Sequence, residues 1–180
     1  RRNRLEGRTT GKFGGIFWMK KYKDKLDDFF KWVKGTELVE LDDIDVSEDP
    51  VRPELTLGFR ILHGRKIFGL KYNDEIEAIV CIALCPEVPF TVREMDYMSQ
   101  AANQDGQRGE IVVAYTVWSR KRGAGREIIN KLKEWAIEYN FKRLVTLSPL
   151  TPMATHFHIK NGAKQIHINE ETQNFEYGLT

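Results

Sequence analysis

Ile111-Val-Val-Ala-Tyr-Thr-Val-Trp118 is a run of β-branched and aromatic residues, and Arg120-Lys-Arg-Gly-Ala-Gly125 follows it directly. With the helical pattern that begins at Arg126, this stretch restricts the fold more than any other part of the chain. β-Branched and aromatic side chains suit the pleated surface of a strand. Glycines let the backbone turn tightly and come close to a ligand. Beyond them Ile128, Ile129, Leu132, Trp135 and Ala136 fall on one face of a helix, with Arg126, Lys131, Lys133 and Glu134 largely off it. A strand that turns through small residues into a helix leaves unpaired N–H groups aimed at one spot, backed by the positive end of the helix dipole. Such a spot favours an anion, most naturally a phosphate. Arg143-Leu-Val-Thr-Leu-Ser148 then reads as a short buried strand stopped by Pro149, which makes a strand–helix–strand unit with an expected right-handed crossover.

The remaining segments build a mixed α/β domain around that unit. Residues 1–15 are basic and glycine-bearing and read as a flexible arm, leaving residues 16–180 as one domain. Phe17, Trp18, Tyr22, Leu26, Phe29, Phe30 and Val33 recur near the helical period, predicting an amphipathic helix that faces the core and stops near Gly35. The acidic stretch from Thr36 to Asp49 reads as a solvated loop, with Pro53 placed to restart a helix. Lys66–Tyr72 and Glu77–Leu84 are strand-like and meet at Asn73-Asp74-Glu75, predicting an antiparallel hairpin. Pro86 and Pro89 end it, and Gln100–Gly109 reads as a loop. A helix from about Pro152 to Asn161-Gly162 and two closing strands, Lys164–Asn169 and Asn174–Leu179, complete the chain.

Bulk composition removes several function classes. A length of 180 residues supports one core, and a net charge of +2 argues against a general nucleic-acid binder, despite the basic N-terminal residues. No apolar run approaches the roughly 20 residues needed to cross a bilayer, so a cytoplasmic location and no membrane partner are expected. Cys81 and Cys85 stand at i and i+4 in a strand-like run, facing one side, which suits buried reduced thiols. With no Cys or His pair at ligand spacing, no metal is expected.

Arg120–Gly125 is not a phosphate-binding loop of the Gly-Lys-Ser/Thr type, nor a dinucleotide fingerprint, because the defining residues are missing. Arg120, Gly123, Gly125 and the following Ile128-Ile129 instead fit the pyrophosphate loop of the GNAT acyl-CoA N-acyltransferases, and Ala154, Phe157, His158, Lys160, Gly162 and Ala163 resemble a second motif of that family. From about Arg65 to Leu179 the chain therefore resembles the GNAT superfamily. The resemblance implies a mixed, mostly antiparallel sheet with a V-shaped splay between two central parallel strands, flanked by helices. It also implies acetyl-CoA or another acyl-CoA as cofactor, held by Val117, Trp118, Arg120, Lys121, Arg122, Gly123, Ala124, Gly125 and Arg126. The expected activity is acyl transfer to an amine, with His158 protonating the leaving thiolate where the family commonly has tyrosine.

A second likeness points elsewhere. Leu147-Ser-Pro-Leu150 and Phe157-His-Ile-Lys-Asn-Gly-Ala163 are similar to motifs of the malonyl-CoA decarboxylases, which implies Ser148 and His158 as a catalytic pair for thioester decarboxylation. Those enzymes carry a long insertion between the two motifs, and here only a few residues separate them. Glu77 and Glu110 are candidate bases for amine transfer by position alone. Tyr115 and Trp118 are placed to line an acyl groove or to pack the sheet, and His156 is read as surface. A non-catalytic binding module with a basic arm, and a homodimer, stay open.

Overall fold

The computed structural model describes residues 12–180, so most of the expected basic arm lies outside the described residues. The chain divides into two compact units, one ending at Thr36 and the other running from Glu37 to Thr180. The first is helix α1, Lys12–Gly35, which reaches the glycine expected to end it. The helix is therefore present, but most of its aromatic stripe is exposed: Phe17 is 74% exposed, Trp18 68% and Phe30 55%, whereas Trp32 is buried at 8%. Periodicity shows that one face is apolar; it carries no information about what covers that face.

The second unit is built on one eight-stranded sheet. In chain order its elements are β1 (Glu37–Leu41), α2 (Leu57–Ile61), β2 (Arg65–Tyr72), β3 (Glu75–Cys85), α3 (Val92–Ala102), β4 (Ile111–Ser119), α4 (Ala124–Glu138), β5 (Arg143–Thr146), β6 (Ser148–Pro149), α5 (Pro152–Lys160), β7 (Lys164–Ile168) and β8 (Thr172–Tyr177). The strand order is β1-β2-β3-β4-β5-β8-β6, with β7 paired to β8. The only parallel pair among the described residues is β4 with β5, at the centre.

The hairpin β2–β3 turns at Asn73 and Asp74, whose φ angles of 48° and 63° are the left-handed pair that short polar residues tolerate in a two-residue turn. Helix α4 packs on β3 and β4 through Ile128, Ile129, Leu132 and Ala136, all buried. On the alternate strand positions, Ile79, Cys81, Ala83, Val113 and Tyr115 form a core with Met95 of α3, closed by Leu57 and Phe59. Both cysteines are buried free thiols, as expected.

Elements outside the sequence reading are β1, α2, α3 and a short 3-10 helix, Val46–Glu48. No helix restarts at Pro53; α2 begins at Leu57, where the Thr56 hydroxyl accepts the Phe59 amide at 3.1 Å. The acidic loop also departs from expectation. Asp49 is 1% exposed and pairs at 2.7 Å with Arg60, whose side chain is wholly buried.

Candidate active site

The site lies where the two parallel strands part. Strands β4 and β5 pair from Ile111/Arg143 to Ala114/Thr146, and the last link is Leu147 N–H to the Ala114 carbonyl at 2.9 Å. On the other edge of β4, Cys81 faces Thr116 and Ile82 faces Ala114, leaving Tyr115 as the extra residue of a bulge. A bulge bends its strand, and here it turns β4 away from its parallel neighbour.

The opening is bridged by one side chain. Arg52 donates from Nε to the Tyr115 carbonyl at 2.9 Å and from a terminal nitrogen to the Leu147 carbonyl at 3.0 Å. Asp49 in turn fixes Arg52: its Oδ1 accepts the Val51 amide (2.8 Å), the Arg52 amide (3.1 Å) and the Thr116 hydroxyl (2.8 Å). Arg60 completes the cluster by binding the Arg52 carbonyl at 2.6 Å and the Leu55 carbonyl at 3.1 Å. Buried ionic groups are tolerated only when their partners are complete, and that requirement makes this loop rigid. None of these residues was identified from sequence, although Arg52 between Val51 and Pro53, and Arg60 between Phe59 and Ile61, are lone cations among apolar neighbours.

The parted strands enclose a cavity of about 510 Å³, bounded by Tyr115, Trp118, Gly125, Ser148, Phe157 and His158 among others. Its lower wall is Pro50 and Val51, from the same loop as Arg52. Trp118 lines the cavity and is 8% exposed, and its indole Nε1 is a buried donor with no hydrogen-bond partner.

At the mouth of the cavity stands the glycine loop. Gly123, at φ 86°, is the residue before α4, a backbone angle that favours glycine. In the first turn of α4 the Ala124 and Glu127 amides find the carbonyls of Lys121 (3.1 Å) and Gly123 (3.2 Å). The Gly125 and Arg126 amides are left for an outside acceptor, as the first N–H groups of a helix must be. A Cβ on Gly125 would sit 3.3 Å from the Phe157 ring, so its absence is what lets α4 approach α5 at the cavity edge. Of the basic residues, Arg120 is held by Glu48 at 2.7 and 3.0 Å and Lys121 by Glu77 at 3.4 Å. Arg122 and Arg126 are exposed.

Ser148 and His158 both line the cavity, but no hydrogen bond joins them. The Ser148 hydroxyl lies 2.8 Å from that of Thr146. His158 is buried at 5% exposure, stacks on Phe175 with ring centres 5.0 Å apart, and sets Nδ1 2.8 Å from the Tyr177 hydroxyl. Burial pushes the imidazole down from 6.5 to about 4, so it is neutral at pH 7. Burial pushes the Tyr177 phenol up, which keeps its proton in place. A phenol that donates to Nδ1 selects the imidazole tautomer with its proton on Nε2, and Nε2 has no partner among the described residues. Tyr177 lies far from His158 in sequence and could not be found by periodicity.

Other candidates fall elsewhere. Glu77 and Glu110 are outside the cavity; Glu110 is at the opposite end of β4 and pairs with Lys142. His156 is exposed, as expected.

No family model matches the chain, and no curated protein matches it. Solved structures do. A protein from Desulfovibrio desulfuricans assigned to the GNAT acetyltransferase family superposes with a TM-score of 0.56 at 8% identity, over 81% of this chain and 99% of that one. An acetyltransferase from Bacillus subtilis, solved in complex with CoA, gives 0.51 at 11% identity, over 78% and 93%. Malonyl-CoA decarboxylase from Cupriavidus metallidurans gives 0.48 at 19% identity, and the match spans 78% of this chain but only 38% of the decarboxylase. The two acetyltransferase likenesses show the fold: the chain has the GNAT fold, with the mostly antiparallel sheet and central splay expected from its motifs.

Proposed function

We propose that the chain binds an acyl-CoA in the splay between β4 and β5 and decarboxylates a malonyl-type thioester there. The observation that carries the reading is the presence of Ser148 and a buried neutral His158 in the lining of one cavity. The thioester-binding part rests on the unpaired Gly125 and Arg126 amides at the mouth of the cavity, which suit the pyrophosphate.

In the reaction the bond between the α-carbon and the carboxylate breaks, CO2 leaves, and the electron pair moves into the thioester enolate. Two donors face the reacting centre. His158 Nε2–H meets the enolate oxygen as a neutral imidazole, strong because it is desolvated and already aimed. The Ser148 hydroxyl hands a proton to the α-carbon and is refilled from water. Walls formed by Val117, Trp118, Met153 and Phe157 offer the departing carboxylate no ion pair, which favours its loss as a neutral gas.

Amine transfer stood first in the sequence reading; the lowered proton affinity of His158 favours decarboxylation over it. Transfer needs a group that takes the amine proton, and His158, with its affinity for protons lowered, is a weak one at neutral pH. The second reading keeps support from the GNAT fold, in which an amine acceptor would enter the same splay. Incubation with malonyl-CoA, and separately with acetyl-CoA plus mixed amines, distinguishes them. CO2 and acetyl-CoA from the first mixture support decarboxylation; acylated amine from the second, with malonyl-CoA untouched, puts transfer back in first place.

A further inference from the structure

We propose that α1 is a membrane-surface helix whose aromatic stripe docks on a bilayer carrying anionic headgroups. Trp18, Met19, Tyr22, Leu26, Phe29 and Phe30 are 38–68% exposed. At about 100° per residue they fall within one stripe about 120° wide. Their rings are already arranged against one another: Trp18 stacks on Tyr22 with centroids 5.8 Å apart, and Phe29 meets Phe30 edge-on at 5.8 Å.

Charge identifies the occupant. The helix holds seven lysines and three aspartates. Wound at the same angle, Lys23, Lys25 and Lys34 form the rim of the stripe, whereas Asp24, Asp27 and Asp28 fall farther round the helix. A second copy of α1 would bring one lysine rim against another, with no carboxylate on the rim to pair with it. Phosphate headgroups match that rim, and lysine stems can lie along the apolar surface while their ammonium groups reach the headgroups. Tryptophan and tyrosine suit the same boundary, with an apolar body and a polar tip. No described helix is long and apolar enough to cross a membrane. The absence of a membrane partner was expected from span length alone, but a helix lying in the interface needs only a stripe.

The test uses the full chain with phosphatidylcholine vesicles, alone and with roughly one third phosphatidylserine. The protein should sediment with the anionic vesicles and be released as salt rises. Phe29→Ser with Phe30→Ser, and separately Lys23→Glu with Lys25→Glu, should each weaken binding about tenfold or more. Because these side chains are exposed, the urea midpoint of the variants should match the wild type. Brominated lipid should quench tryptophan emission in the wild type and lose most of that effect in Trp18→Phe. Equal binding to neutral vesicles, no binding to either, or unchanged binding by both double variants overturns the proposal. So does a dimer, seen by light scattering, that the phenylalanine substitutions dissolve, because a second copy would then be the occupant.

Discussion

Arg52→Met removes the guanidinium that spans the splay while keeping an unbranched apolar stem. In the wild type the guanidinium supplies donors to two carbonyls, Tyr115 at 2.9 Å and Leu147 at 3.0 Å, from a residue 8% exposed. A buried acceptor stripped of its donor costs about 1–3 kcal/mol, so the pair costs about 2–6 kcal/mol. Burial lowers the Arg52 pKa, which means that the folded state already bears a desolvation cost that methionine relieves. The net loss should be about 2–4 kcal/mol. In urea, with a slope of about 2 kcal/mol per molar, the midpoint should fall by about 1–2 M at unchanged slope. Calorimetric titration with CoA should show a parallel loss of affinity, because the walls of the cavity are no longer held apart. Arg52→Lys, which reaches one carbonyl, should fall between. A variant with wild-type midpoint and wild-type CoA affinity would refute the claim that Arg52 holds the splay.

His158 gives a pH signature. Its folded pKa of about 4 lies below the ordinary 6.5, so the unfolded chain takes up the proton first as pH falls. Stability from this group is complete above about pH 6.5 and declines toward pH 4, by about 3 kcal/mol in total; denaturation at several pH values should show that acid slope reduced in His158→Phe. Gly125→Val places branched carbon where a single Cβ already meets Phe157 at 3.3 Å. It should cost about 1–3 kcal/mol and weaken CoA binding about tenfold or more, whereas an unchanged titration would separate the loop from the ligand. Ser148→Ala removes one hydroxyl from a pair with Thr146 and should cost only about 1 kcal/mol, yet abolish CO2 release from malonyl-CoA; retained turnover would remove the serine from the chemistry.

What was legible in the sequence was local. Strand β4, the glycine loop and α4 are set by composition and spacing within a single stretch, and the structure has them at the expected places. Ser148 and His158 were legible only through motif likeness, because no periodicity distinguishes a cavity wall from a core. The parts that hold the site open were not legible. Arg52 reaches carbonyls 63 and 95 residues away, and the Tyr177 that orients His158 comes from the last strand. Short elements failed for a related reason. Helix α2 spans five residues and strand β1 five, too few for a period to show, and tertiary packing decides them. In α1 the period was read correctly, but exposure is a property of surroundings that no periodicity records.

The most direct measurement of the central claim is a crystal structure with CoA bound. The pantetheine arm should run through the splay between β4 and β5, with the pyrophosphate on the Gly125 and Arg126 amides and the sulfur pointing toward Ser148 and His158. CoA seated elsewhere on the fold, or density absent at concentrations that saturate calorimetric binding, would contradict the assignment of the splay as the site.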